Sequence, residues 1–243
     1  MTITFRACLA PLGLTLALAA CSQQGGSDAA APAAPQVSAT DAAANRDLDT
    51  YRQLVRIHND QMATTMGQSI VSKYPDSAAA REVQQTLPAI AKRYRENSEK
   101  ARLAGLWLYQ VSPMAGGTQS TAVIENSQPI GTDRVRLVLR RHTEWGQNAF
   151  LFGTGHGFVC RHTCTLPATF DGKAAGIKAF APTTGEPALM IENDKAFIAR
   201  LLKAKTITIK VRRKDNDRTE DLVYEVGGFD SAKWLPVGKG KKK

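Results

Sequence analysis

The chain has 243 residues, of which 43% are hydrophobic and 22% are charged. This composition is ordinary for a soluble globular protein of one or two domains, and it excludes a chain that is disordered throughout. The formal net charge of +10 favours acidic partners, but charge alone does not choose among nucleic acid, lipid headgroups, cell-wall polymer and acidic protein.

The N-terminus has the pattern of an export signal. Arg6 is its only charged residue, and an uncharged run follows from Cys8 to Ala20. This run is too short to cross a hydrocarbon core of about 30 Å as a helix, so we interpret residues 1–20 as a leader. Leu18-Ala19-Ala20-Cys21 resembles the lipobox of bacterial lipoproteins, which implies that Cys21 is acylated and becomes the first residue of the mature protein. An ordinary cleaved secretory signal is the alternative.

Residues 21–45 are rich in Ala, Pro, Gln, Ser and Gly. Because such a stretch buries little apolar surface, we expect a flexible linker between the membrane and the folded part. By resemblance to enterobacterial lipoproteins, Ser22 after the acylated cysteine implies sorting to the periplasmic face of the outer membrane. An exported address also argues against nucleic acid as a partner.

Residues 46–103 carry the spacing of amphipathic helices. Apolar residues from Leu48 to Ser72 recur at intervals of three and four, which predicts one helix. Tyr74-Pro75-Asp76-Ser77 should end it and start a second helix, which Pro88 should kink or split. The predicted hairpin has a turn that resembles that of tetratricopeptide-like envelope proteins. A single repeat cannot bury its own face, so we interpret the hairpin as a brace against the next domain.

Residues 104–236 change to a period of two. Nine short apolar segments separated by Gly, Pro, Asn and Asp predict strands, and Lys195–Ala204 predicts one inserted helix. The predicted fold class is α+β, with an N-terminal helical hairpin followed by an antiparallel β-sandwich with one inserted helix. Residues 237–243 form a basic tail that we expect to touch headgroups or cell wall.

The last two strands, within Thr206–Val226, allow a prediction of register. Their apolar residues have opposite parity in residue number, so both sets face one core only if the loop has an even number of residues. The predicted pairing places Arg212 opposite Asp221 and Thr208 opposite Glu225 on the solvent face.

Short runs from Gly105 to Trp234 carry a resemblance to a known domain. They are Gly105-Leu106-Trp107-Leu108-Tyr109, Gly157-Phe158-Val159-Cys160 to Cys164, Phe170-Asp171-Gly172, Leu201-Leu202-Lys203-Ala204-Lys205 and Val226-Gly227-Gly228-Phe229. They resemble a periplasmic domain of proteobacterial proteins of unknown function. They are more distantly similar to type VI secretion-associated lipoproteins of the TagQ and VasI kind. The resemblance implies a β-sandwich in an envelope context and transfers no active site.

Cys160 and Cys164 are the cysteines left after the leader and the lipid site. They flank a predicted tight turn, where a Cα separation of about 5.5 Å suits a disulfide. A zinc site built from His156, Cys160, His162 and Cys164 is an alternative, although its spacing matches no common zinc pattern. A redox pair would normally have two intervening residues instead of three. We predict a disulfide and no metal or cofactor.

No sequence motif predicts catalysis. The chain has no Gly-x-Ser-x-Gly, and Gly153-Thr154-Gly155-His156-Gly157 lacks the lysine and the following helix of a phosphate-binding loop. A hairpin turn explains this glycine-rich run more simply. We therefore predict a protein that is not an enzyme, and leave an enzyme with an unrecognised site as an alternative.

Basic residues on predicted strands are the remaining signal. Arg134, Arg136 and Arg140 share one face of a strand, and Lys210 and Arg212 lie in a stretch without acidic residues. We predict that these five residues bind an anionic partner, either an acidic protein or a cell-envelope polymer. The function predicted is a membrane-anchored, non-catalytic binding or scaffold lipoprotein. The alternatives are a solvated outer face and an immunity protein that inhibits a secreted cell-wall or lipid hydrolase.

Overall fold

The computed structural model describes residues 38–131 and 133–238. The predictions for the leader, Cys21, most of the linker and the tail from Lys239 onward lie outside these residues. The described part contains four α-helices and nine β-strands, which confirms the α+β class.

Three helices form the N-terminal unit. They are α1 (Ala39–Arg56), α2 (Asp60–Lys73) and α3 (Ala78–Gly105). Each contributes to one buried core, with Leu48 and Tyr51 from α1, Ile70 from α2, and Val83 and Ile90 from α3. The predicted turn at residues 74–77 is present, and the Ser77 side chain caps α3 by accepting from the Ala80 N–H.

The prediction of one continuous helix from Leu48 to Ser72 is wrong, because the chain turns between α1 and α2. His58 has a positive φ of 56°, a value that ends a right-handed helix. The Asn59 side chain then accepts a hydrogen bond from the Met62 N–H and starts α2. Two helices therefore stand where the spacing predicted one.

The limits of the linker and the effect of Pro88 also differ from expectation. The Ser38 hydroxyl accepts from the Asp41 N–H, so α1 begins inside the predicted linker, and Ala44 of this first segment is buried in the core. Pro88 lies within α3 without dividing it. None of the helices in the described residues is long and apolar enough to cross a bilayer.

The remaining chain forms the strands and one further helix. The strands are β1 (Trp107–Met114), β2 (Gly117–Glu125), β3 (Arg136–His142), β4 (Gly146–Phe152), β5 (Thr163–Phe170), β6 (Lys173–Phe180), β7 (Ala188–Ile191), β8 (Ile207–Arg212) and β9 (Thr219–Tyr224). The inserted helix is α4 (Asp194–Leu201), and a 3₁₀ turn, η1 (Val226–Gly228), follows β9.

All nine strands lie in one antiparallel sheet of order β1-β2-β3-β4-β7-β6-β5-β8-β9, whereas the predicted sandwich requires two sheets. The sheet curves until the segment after β2 meets β9. The Ser127 N–H donates to the Val223 carbonyl at 2.7 Å, and the Val223 N–H donates to the Gln128 carbonyl at 3.0 Å. The residues on the inner side of the curved sheet form one core. In the predicted sandwich, the core would instead lie between two separate sheets.

The register of the last hairpin differs from the prediction by two residues. Lys210 lies opposite Asp221, and Arg212 lies opposite Thr219. The parity argument still holds, but the loop closes earlier because the Arg213 N–H donates to the Arg218 carbonyl at 2.8 Å. Arg212 therefore does not pair with Asp221, and Thr208 does not face Glu225.

The helical unit joins the sheet through the end of α3. The Arg102 guanidinium donates to both carboxylate oxygens of Glu225, at 2.7 and 3.1 Å. Beside this ion pair, the backbone of Gly228 in η1 lies directly against that of Leu103. This close approach fixes the position of α3 against the end of β9.

Candidate functional site

The structure joins Cys160 and Cys164 by a disulfide, with a Cα separation of 5.6 Å. Both residues pack against the core of the sheet, and His162 in the turn between them has a φ of 56°. The bond ties the start of β5 to the segment that precedes it. The residues proposed as zinc ligands do not converge, because the His156 N–H donates to the Asp215 carboxylate at 3.0 Å and its Nδ1 contacts the same carboxylate.

The structure does not bring the five predicted basic residues together. Lys210 and Arg212 lie on β8, which is separated from β3 in the sheet order by four strands. Lys210 Nζ is 2.7 Å from Asp221, and Arg212 forms an ion pair with Asp217. Local carboxylates therefore offset the charges of these two residues.

Arg134 precedes β3 and binds the loop between β2 and β3. Its guanidinium donates to the carbonyls of Asn126 and of Gly131, the latter at 3.1 Å. The buried Asn126 side chain accepts from the Val135 N–H at 2.6 Å. Together Arg134 and Asn126 fix the start of β3, and so the position of Arg136.

Arg136 and Arg140 share the outer face of β3, as the alternation predicted. They border a groove of about 720 Å³, which we call the outer groove. Its lining residues are Met114, Gln119, Thr121, Arg136, Val138, Arg140, Trp145, Phe150, Phe152, Phe180, Pro182, Thr184, Glu186, Ala188 and Met190.

An apolar row crosses the floor of the outer groove. Val138 on β3 lies opposite Phe150 on β4, Phe150 lies opposite Met190 on β7, and Met190 lies opposite Phe180 on β6. Arg136 and Arg140 stand on either side of Val138 along β3. The floor is therefore apolar over four neighbouring strands, with its two cations at the β3 end.

Trp145 forms one wall of the outer groove and is held by a buried histidine. Its ring stacks on His142 with a centroid separation of 3.9 Å. The His142 Nδ1 accepts from the backbone N–H groups of Glu144 and Trp145, so its proton lies on Nε2, which donates to the Met114 carbonyl at 2.9 Å. These three hydrogen bonds fix the ring on which Trp145 stacks.

Arg140 is a half-buried cation that has no counter-ion in the described part of the chain. Its guanidinium carbon lies 4.9 Å from the ring centroid of Trp145 and 5.1 Å from that of Phe150. Nη2 donates to Asn148 Oδ1 at 3.0 Å, whereas Nε is buried and has no hydrogen-bond partner among the described residues. No carboxylate of residues 38–131 or 133–238 lies within 4.0 Å of this guanidinium.

Burial lowers the pKa of Arg140, because a low-dielectric surrounding disfavours the charged form. An arginine nevertheless stays charged at neutral pH, so the positive charge persists although the group is partly desolvated. Such a group is stabilised by an anionic oxygen that enters the groove.

The acidic residues near the outer groove do not neutralise Arg140. Glu125 lies opposite Arg136 in the register, although no salt bridge joins the two. Glu186 lies at the rim, where the Thr184 hydroxyl donates to its carboxylate. Arg136 and Arg140 are therefore both without a salt-bridge partner among the described residues, and Arg140 is the more buried of the two.

A second depression of about 760 Å³ continues from the outer groove and shares Arg136 with it. Of the eleven large apolar residues that are exposed in the described chain, six line these two concavities: Leu106, Leu108, Met114, Ile130, Trp145 and Phe180. Exposed apolar surface concentrated in this way is typical of interaction sites.

The sequence analysis found Arg136 and Arg140 but missed the apolar groove between and beside them. One feature of the sequence did indicate this groove. In β4, Ala149-Phe150-Leu151-Phe152 places large apolar residues on both faces of the strand, and a strand with one solvated face would alternate with polar residues. The outer positions of this strand therefore indicated a second apolar contact.

Comparisons with known proteins add no homologue: no family model, curated protein or solved structure matches this chain. The resemblance to the proteobacterial periplasmic domain and to TagQ- and VasI-like lipoproteins stays a prediction. No group of three or more His, Cys, Asp or Glu side chains in the described residues is arranged to hold a metal ion.

Proposed function

We infer that this chain is a lipid-anchored binding protein of the cell envelope, and that it captures an anionic partner in the outer groove without catalysing a reaction. The observation that carries the proposal is Arg140, a half-buried cation that lines an apolar groove and has no counter-ion among the described residues. The lipobox-like sequence at Cys21 supports the anchor, and Ser22 supports the periplasmic face of the outer membrane as its location.

The proposed site is smaller than the basic surface that the sequence suggested. Lys210, Arg212 and Arg134 have partners within the protein, so we assign partner binding to Arg136 and Arg140. The net charge of +10 then acts at longer range, by raising the rate at which an anionic partner meets the groove.

Replacing both Arg136 and Arg140 with Gln should reduce capture of the partner from a solubilised envelope extract at least tenfold. Glutamine keeps much of the side-chain length while removing the charge, so the groove loses its attraction for an anion but little of its packing. The measurement is a pull-down at low and high salt followed by quantitative mass spectrometry. Capture by the wild type should fall with salt, because screening weakens the attraction.

The matched control is the double variant Lys195→Gln and Lys203→Gln, which removes the same charge from two exposed positions in and after α4. Its partner profile should equal that of the wild type. If the arginine variant also keeps the wild-type profile, the arginines serve only solubility. Capture of a secreted cell-wall or lipid hydrolase would identify the anionic partner as a toxin and give the protein an immunity role.

Cys21→Ala should move the protein from the membrane fraction to the soluble periplasmic fraction, because the anchor proposed here is the lipid on that thiol. A clickable fatty-acid probe should label the wild type and not the variant. A wild type that is soluble and unlabelled would contradict the lipoprotein assignment, whereas a variant that stays in the membrane fraction would show that another segment holds it there.

A further inference from the structure

We propose that the outer groove binds a single-chain amphiphile with a carboxylate headgroup, such as a fatty acid, with the carboxylate on Arg140 and the chain directed toward Phe180. This inference rests on the proposed function and deepens it, since it names the chemical class of the anionic ligand. Three features of the groove support it: the state of Arg140, the change of polarity along the floor, and the depth of the floor.

The headgroup position follows from Arg140. The guanidinium lies over the rings of Trp145 and Phe150, and its Nη2 donates to Asn148 Oδ1, so the orientation of the group is fixed. A fixed guanidinium with no carboxylate within 4.0 Å among the described residues is well suited to a carboxylate ligand, because charge-assisted hydrogen bonds to a planar fork are short and directional. Gln119 and Thr121 on β2 line the same end of the groove, and the Gln119 amide, which donates one N–H to Ser112 Oγ, has a second N–H to offer.

The chain position follows from the apolar row. From Val138 through Phe150 and Met190 to Phe180 the floor crosses three inter-strand spacings, which is about 14 Å at 4.8 Å each. Polar side chains of β2 and β3 line one end of the floor, and the strand residues at the β4, β7 and β6 end are apolar, with Thr184 and Glu186 at the rim from the loop between β6 and β7. A molecule with one charged end and one apolar end matches this gradient.

The other occupants of an apolar groove fit less well. A peptide that adds a strand needs a free sheet edge, but β3 and β4 each pair with neighbours on both sides. A bilayer surface meets protruding side chains, whereas Val138 and Ala188 on the floor are only 8% and 6% exposed. A volume of about 720 Å³ is also typical of a small-molecule site.

The test uses the full-length protein carrying Cys21→Ala, so that no lipid of its own competes for the groove. Isothermal titration calorimetry is performed with three probes below their micellar concentrations: dodecanoate, dodecyltrimethylammonium and acetate. We expect saturable one-to-one binding of dodecanoate, at least tenfold weaker binding of dodecyltrimethylammonium, and no measurable binding of acetate. Equal affinity for the two twelve-carbon probes would overturn the proposal, because the charge would then have no role.

Arg140→Met should weaken dodecanoate at least tenfold without weakening dodecyltrimethylammonium, while Lys195→Met, the exposed control, should change neither. Unchanged dodecanoate binding by the Arg140 variant would contradict the assigned headgroup site. Phe180→Asp tests the other end independently of Arg140. It should lower the affinity for dodecanoate and leave that for hexanoate unchanged, and equal losses for both acids would contradict the assigned direction of the chain.

A final arm of the experiment distinguishes binding of single amphiphile molecules from binding of a membrane surface. Vesicles of phosphatidylglycerol and phosphatidylethanolamine should not retain the protein in a flotation assay. Retention that depends on Arg140, without binding of dodecanoate, would make a membrane surface the ligand and overturn this proposal. If fatty acids fail to bind while capture from the envelope still depends on Arg136 and Arg140, the proposed function stands and only this inference fails.

Discussion

Gly228→Ala is expected to lower the free energy of unfolding by about 3 kcal/mol, because η1 leaves no room for a side chain. A Cβ at this position would lie 2.2 Å from both the carbonyl carbon and the oxygen of Leu103, and 2.4 Å from the Ala104 nitrogen. These are backbone atoms of α3, which cannot rotate away as a side chain could. The helix and the 3₁₀ turn would have to separate, which also strains the ion pair between Arg102 and Glu225.

The neighbouring Gly227 is the matched control, since a Cβ there would meet its nearest atom, the Cα of Lys205, at 3.5 Å. Gly227→Ala should change the free energy of unfolding by less than about 0.5 kcal/mol. Urea denaturation followed by circular dichroism measures both variants. Equal midpoints for the two would mean that the contact between α3 and η1 does not have the closeness described.

Arg213→Met should cost about 3 kcal/mol of stability, as expected when one member of a buried ion pair is removed. The Arg213 side chain is 5% exposed, and its Nε lies 3.0 Å from Glu220 while its Nη2 donates to the Asp133 carbonyl at 3.0 Å. It also stacks on Phe158, with 5.4 Å between the guanidinium carbon and the ring centroid. One side chain thus links the hairpin of β8 and β9 to the segments before β3 and after β4.

A second substitution distinguishes the loss of the Arg213 charge from the loss of its packing contacts. Adding Glu220→Gln to Arg213→Met removes the carboxylate left without its partner, so the double variant should recover part of the lost stability. Arg218→Met, at an exposed position in the same loop, should stay within about 0.5 kcal/mol of the wild type. A double variant that is less stable than Arg213→Met alone would show that the carboxylate has other partners.

The local features of the sheet could be predicted from the sequence, and the features that depend on distant residues could not. Alternation along β3 correctly placed Arg136 and Arg140 on one face, because side-chain direction in a strand depends on parity alone. The single curved sheet depends on pairing between Gln128 and Val223, which are far apart in sequence. No periodicity within either segment encodes that contact.

The helical unit shows a second limit of prediction from sequence. The break between α1 and α2 occurs at His58 and Asn59, in a stretch without Gly or Pro, so no strong breaker interrupts the apolar spacing. Asn59 is a good capping residue, but Asn is common enough that it does not by itself predict a helix start. The turn before α3, which contains Pro75 and the capping Ser77, could be predicted.

The candidate site has features that could be predicted from local sequence and features that depend on the folded chain. Arg134 has the same parity as Arg136, yet its guanidinium binds carbonyls of the preceding loop, a contact that only the folded loop creates. Similarly, the apolar row requires β7 to lie between β4 and β6, an order that departs from the sequence order of the strands. The cations were thus predictable, and the groove that gives Arg140 its unusual environment was not.

The closure of the sheet has a consequence for aggregation. An open sheet exposes two edge strands, and each is a template on which another molecule can add a strand. Ser127 and Gln128 cover part of the β9 edge, which leaves β1 as the more accessible one. Near the end of β1, Pro113 has no N–H to offer an incoming strand. The fold therefore limits edge-to-edge association between copies of this chain.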